Sequence, residues 1–148
     1  MEARVSTKST THQMRTITSL ISGLLLLATL HMASAADTVV ASGSWTKKTA
    51  KISGTWSIVD DGKTKTIHLK GFSTKKAPDL KLFLSPQTAK AATNKNATTG
   101  SALIIKLKSH KGDQSYTLPA SADPSKFKSI LIHCEKYTKL WGAANLKK

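Results

Sequence analysis

From Ile52 onward, apolar and polar side chains take turns along the chain. Ile52, Gly54, Trp56 and Ile58 alternate with Ser53, Thr55, Ser57 and Val59, the period of a half-buried β-strand. Asp60-Asp61-Gly62-Lys63 follows as a tight hairpin turn. A return strand over about Thr64 to Phe72 sets Ile67 and Leu69 on one face and His68 and Lys70 on the other. After Pro78-Asp79, Leu80, Leu82 and Leu84 alternate with Lys81, Phe83 and Ser85, and Pro86 ends the run. Leu103, Ile105 and Leu107 then alternate with Ile104, Lys106 and Lys108. A turn at His110-Lys111-Gly112 leads to Gln114 to Leu118, which Pro119 stops. Ser129 to Cys134 is the most apolar late strand, and Leu140 to Leu146 the closing one. Between them, Gln87 to Gly100 is mostly Ala, Thr, Asn and Lys, with no apolar anchor, and is expected to be a long exposed loop. The pattern predicts an all-β fold, an antiparallel sandwich or barrel of about eight short strands.

The first 35 residues break this pattern. Arg4, Lys8 and Arg15 precede an apolar stretch from Ile17 to Met32, densest at Leu24 to Leu27, which closes on Ala33-Ser34-Ala35. That is the three-part pattern of a helical signal peptide, and cleavage leaves Ala36 as the new N-terminus. A retained anchor is the alternative. It is disfavoured because a spanning helix needs about 20 mostly apolar residues, and Ser19, Ser22, Thr29 and His31 interrupt this one. The expected organisation is a cleaved leader over 1–35, a linker over 36–42 and one domain over 43–148. No second apolar stretch approaches spanning length, so no transmembrane anchor is expected after cleavage. The expected location is the periplasm or the extracellular space.

Charge narrows the partners. Beyond Ala35 stand 20 lysines, no arginine and seven acids, a net +13 from 20 minus 7. Export and the lack of guanidinium groups, which read guanine and phosphate bidentately, argue against nucleic acid. Lysines suit looser attraction to anionic envelope surfaces, or simply keep the domain soluble. Lys70, Lys81, Lys106 and Lys108 fall on the polar phase of the strands and are the candidate contacts for such a surface.

Candidate chemistry is sparse. The region beyond the leader holds one cysteine, Cys134, three histidines, His68, His110 and His133, and no methionine. A lone thiol forms no intramolecular disulfide, so the domain relies on its apolar core. In an oxidising compartment such a thiol is buried, paired with another chain, or used. Cys134 is in phase with Ile130 and Ile132, the expected core face, where free cysteine behaves as a small hydrophobe; His133 is in phase with Ser129 and Leu131. A blue-copper site needs two His and a Cys, usually with an axial Met, and Glu135 to Lys148 supplies neither His nor Met. Asp60-Asp61 has a turn rationale, as has Asp79, although Asp79 at the start of a strand could face a cleft. The histidines are expected at the surface or in turns. Asn96-Ala97-Thr98 is a glycosylation sequon in the expected loop. No acid–base, nucleophile, phosphate-loop or metal-hydrolase motif is present, so no enzyme is expected and no cofactor is indicated.

Several short stretches, in order, resemble a known family. They are Ser53-Gly54-Thr55-Trp56, Gly71-Phe72-Ser73-Thr74, Pro78-Asp79-Leu80, Leu82-Phe83-Leu84-Ser85, Gly112 to Pro119, Ile130 to Cys134 and Trp141-Gly142-Ala143-Ala144. Over about Gly43 to Leu146 the chain is similar to the DM-thirteen domain, also called the electron-transfer DM-thirteen domain, of Skeletor-type animal proteins and exported bacterial proteins. The resemblance implies an all-β domain with one characteristic late cysteine, here Cys134, as candidate redox group or cofactor ligand, with a redox partner protein. His133, His68 and Asp79 are weaker candidates. Two positions depart from the family: Ala77 stands for a usual Gly before Pro-Asp, and His133 for a frequent aromatic before the cysteine. The alternative is a non-catalytic envelope or matrix module that uses its lysines.

Overall fold

The computed structural model describes residues 36–146, and the leader expected over 1–35 lies outside the described residues. Nine strands run β1 (Thr38–Ser44), β2 (Thr46–Lys47), β3 (Ile52–Asp60), β4 (Lys65–Thr74), β5 (Leu80–Ser85), β6 (Ala102–Lys106), β7 (Gln114–Thr117), β8 (Ser129–Cys134) and β9 (Lys139–Asn145). They form two antiparallel sheets, ordered β1-β3-β4-β7 and β2-β9-β8-β5-β6. The architecture is all-β with two sheets and no closed barrel, which settles the first expectation in favour of two packed layers. Among the described residues no helix is long and apolar enough to cross a membrane.

The alternation holds where it was clearest. Trp56 and Ile58 of β3, Ile67 and Leu69 of β4, Leu80, Leu82 and Leu84 of β5, and Ile130, Ile132 and Cys134 of β8 share one core. Each Leu or Ile removed from water there stabilises the fold by roughly 1.5–3 kcal/mol. The β3–β4 turn is closed by aspartate: Asp61 Oδ1 accepts from the N–H groups of Lys63 and Thr64, at 2.8 and 2.7 Å.

Four expectations need correction. The stretch read as a linker over 36–42 contributes most of β1, because its backbone completes the edge beside β3. That strand passes through Trp45 into β2 and so changes sheets, with the Trp45 ring packed on Trp56 and Phe72. The loop read as exposed buries Ala89, Ala92 and Ala97 against Phe83, Leu131, Leu140 and Ala143 on the outer face of the second sheet. Polar side chains pin it there: Asn145 Oδ1 accepts from Ala89 N at 2.8 Å, and Asn94 Oδ1 from Leu140 N at 2.8 Å. The sequon asparagine serves the same loop, since Asn96 accepts from Thr93 N and donates to Ala91 O. Leu103, in phase with Ile105 on paper, is instead 45% exposed. A register shift opposite Leu82 and Phe83 makes Ile104 the extra, buried residue and turns Leu103 outward. Finally, His133 is buried rather than at the surface.

Candidate functional site

In an antiparallel sandwich alternate connections gather at one end. The β2–β3, β4–β5, β6–β7 and β8–β9 connections share an end, and Cys134 is the last residue of β8 there. It sits in register with Leu80 of β5 and Lys139 of β9, fully buried in the apolar core. Among the described residues no three His, Cys, Asp or Glu side chains lie together as metal ligands would.

His133 points to the other face, as its phase required, and is only 3% exposed. Its ring meets Phe83 edge-on at 6.2 Å, and neither ring nitrogen has a hydrogen-bond partner among the described residues. Lys81 and Leu140 are its cross-strand neighbours. Burial holds the imidazole below its ordinary value of 6.5, while the nearby Glu135 carboxylate pulls weakly the other way. The folded state therefore binds the proton less readily than the unfolded chain. Stability is level above about pH 6.5 and falls as pH drops below it, by at most about 1.4 kcal/mol per unit from this group. Four aspartates are separable from it, because hydrogen bonds from the Gly62, Thr64, Gly71 and Ser125 N–H groups hold Asp60, Asp61, Asp113 and Asp123 below 3.8. Their contributions are lost only at still lower pH. His133→Leu is expected to flatten urea midpoints between pH 6.5 and 4.5. An unchanged slope in the variant would assign the acid sensitivity elsewhere.

Beside Cys134 the chain assembles an ion-pair chain. Lys81 bonds Glu135 and lies 3.6 Å from Asp79, whose other oxygen is 3.5 Å from Lys106. The Glu135 N–H donates to the Asp79 carbonyl at 3.1 Å, tying the β8–β9 turn to the start of β5. The bond to Glu135 is the main reason the Lys81 ammonium is held above its ordinary value. The structure thus brings Asp79, Lys81 and Lys106 together next to Cys134 and His133. It leaves His68 and Lys70 on the first sheet, where His68 bonds Ser115 Oγ at 2.8 Å and Lys70 bonds Asp113 at 3.0 Å. Of the four lysines expected to face an anionic surface, Lys70, Lys81 and Lys106 are paired with carboxylates, and Lys108 rests 5.5 Å from the centre of the Tyr116 ring.

The β4–β5 and β6–β7 connections flank a groove lined by Lys76, Lys106, Lys108 and His110 over Leu80 and Leu107. Glu135 and Lys76 were not singled out as members of a site. Their signal was the placement of lysines on either side of connections that return to one end.

A family model described as Electron transfer DM13 matches residues 44–146. No curated protein and no solved structure matches the chain.

Proposed function

The chain belongs to the electron-transfer DM13 family, and on that footing we propose a redox-associated role centred on Cys134, without catalytic turnover of its own. The leader pattern adds export, to the periplasm or the extracellular space. One observation carries the reading beyond the family: the only cysteine closes β8 at the lysine-rich end, in register with Leu80, which floors the groove. A fully buried thiol is inert as it stands. At the end of a strand, however, it needs only a local opening to meet a partner or cofactor, and such openings cost less than global unfolding.

The direct test is to purify the full chain, record its absorption spectrum and metal content, and titrate the native thiol with a disulfide reagent. A bound chromophore or metal, or a thiol that reacts without denaturant, is expected. A colourless, metal-free protein whose thiol reacts only after denaturation overturns the proposal.

Local opening also makes a kinetic prediction. Leu80→Ala removes contacts that the opened end gives up, at a cost of about 2 kcal/mol or more, so the thiol rate should rise about 30-fold. Leu84→Ala, at the far end of the same strand, should cost similar stability and leave that rate unchanged. Equal acceleration by both variants would place the reaction in the unfolded chain.

A second reading, a non-catalytic envelope module, draws support from the charge distribution. Asp79, Asp113 and Glu135 at the Cys134 end are each bonded to lysine, while Lys51, Lys75, Lys76, Lys108 and Lys111 there have no carboxylate within 4 Å among the described residues. Binding of the full chain to anionic vesicles should weaken steeply with salt. Binding that persists at high salt would contradict it.

A further inference from the structure

We propose that the groove between the β4–β5 and β6–β7 connections is a binding site for a small tetrahedral oxyanion, a phosphate or sulfate group. Lysines scattered on a surface repel one another and remain in water. Here Lys76 comes from the β4–β5 connection, Lys106 from the end of β6, and Lys108 and His110 from the β6–β7 connection, and all line one concavity of about 140 Å³. That is room for about four or five waters at their liquid volume, too little for an organic cofactor, whose pockets run to roughly 300 Å³ or more.

The charge in the groove is cationic. Asp79 is the nearest acid, and its carboxylate is already shared between Lys81 and Lys106. Three lining lysines against that one carboxylate give a formal charge of +2 from these four side chains. Lysine binds phosphate and sulfate as a point charge, without the planar fork that arginine needs.

The walls are set before any ligand arrives. Lys108 N donates to the Tyr116 hydroxyl at 2.9 Å and Ser109 N to Gln114 Oε1 at 3.1 Å. The His110 carbonyl accepts from Thr74 N at 2.9 Å, and Leu107 N donates to the Leu80 carbonyl at 2.9 Å. An anion entering this groove therefore orders lysine side chains and little backbone, which keeps the entropic cost of binding down.

This site rests on the lysine-rich end described for the second reading and gives it a place and a ligand class. Vesicle association is measured separately, so either can fail alone. The test is an amide-resolved NMR titration of the full chain with inorganic phosphate, inorganic sulfate and glycerol phosphate, at constant ionic strength set by chloride. Saturable shifts are expected at the amides of Lys76, Ala77, Lys108, Ser109 and His110. Tighter binding of glycerol phosphate than of the inorganic ions would assign the site to esters, and the reverse to the free ion. In the Lys76→Gln/Lys108→Gln variant the dissociation constant should rise about tenfold or more, the loss of one charge-assisted hydrogen bond being enough for that. Lys126→Gln/Lys128→Gln, at the opposite end, should leave it unchanged. Both variants alter exposed side chains and should keep the native amide spectrum. Linear shifts spread over lysines at both ends, or equal affinity in the two variants, would overturn the site.

Discussion

Gly54→Ala is expected to cost about 3 kcal/mol or more, a large share of the roughly 5–15 kcal/mol that holds a domain of this kind folded. Gly54 has φ +98°, in the region that L side chains avoid, and it marks a register shift between β3 and β4. Left-handed backbone alone costs an alanine roughly 1–2 kcal/mol. In addition, its Cβ would stand 2.6 Å from the Lys70 carbonyl oxygen and 2.8 Å from the Gly71 carbonyl. Those are backbone atoms of the paired strand and cannot rotate aside. The bulge matters beyond its own strand, because β3 begins two residues earlier with Ile52. That side chain lies over Gly142 of β9, so close that a Cβ at 142 would be 2.7 Å from Ile52 Cδ1. Thermal or urea unfolding of the variant measures the loss. A cost under about 1 kcal/mol would mean that the bulge relaxes and that neither the strain nor the clash is realised.

Trp56→Ala is expected to cost about 3–5 kcal/mol, the range for truncating a buried aromatic. Trp56 is 1% exposed, lies 6.4 Å from the Trp45 ring, and has Gly43 of β1 placed so that a Cβ there would be 3.1 Å from its Cζ2. It therefore joins β3 to β1 and to the residue at which the chain crosses between sheets. Removing it leaves a void that the strand crossing cannot fill without moving. Trp56→Phe, which keeps most of the ring area, should cost clearly less. Equal losses for the two would point to a role other than packing. The indole N–H of Trp56 makes no hydrogen bond among the described residues, so the phenylalanine loses no polar partner there.

The fold was legible wherever side chains alternate with a strong contrast in size and polarity. Trp56, Ile58, Ile67, Leu69 and the Leu80-Leu82-Leu84 row declared their faces, and the phase of Ile130 and Ile132 put Cys134 in the core. What failed lacked that contrast. Ala89, Ala92 and Ala97 are too small and too irregularly spaced to announce burial, yet small side chains are what lets a loop lie flat on a sheet. Because that loop covers the outer face of the second sheet, β8 is buried on both sides, and His133 with it. Leu103 was misplaced by a bulge, which no period-two reading can contain. The 38–44 strand was missed because Ala, Ser and Gly dominate its second half, although an edge strand needs backbone more than side chains. The site divided in the same way. Local sequence identified Cys134 and Asp79. Their place beside Lys81, Lys106 and Glu135 came from the topology, which returns four connections to one end.

The proposed redox role requires that Cys134, although fully buried, be reached by opening one end of the sandwich. The measurement that tests it most directly is the rate of reaction between the native thiol and a disulfide reagent across a urea series that stays below the unfolding transition. The expected result is a rate nearly independent of urea at low concentration, because a local opening exposes little surface, rising with the global slope only near the midpoint. A rate that follows the global unfolding slope down to zero urea would contradict the claim, and would leave Cys134 as a packing residue of the core.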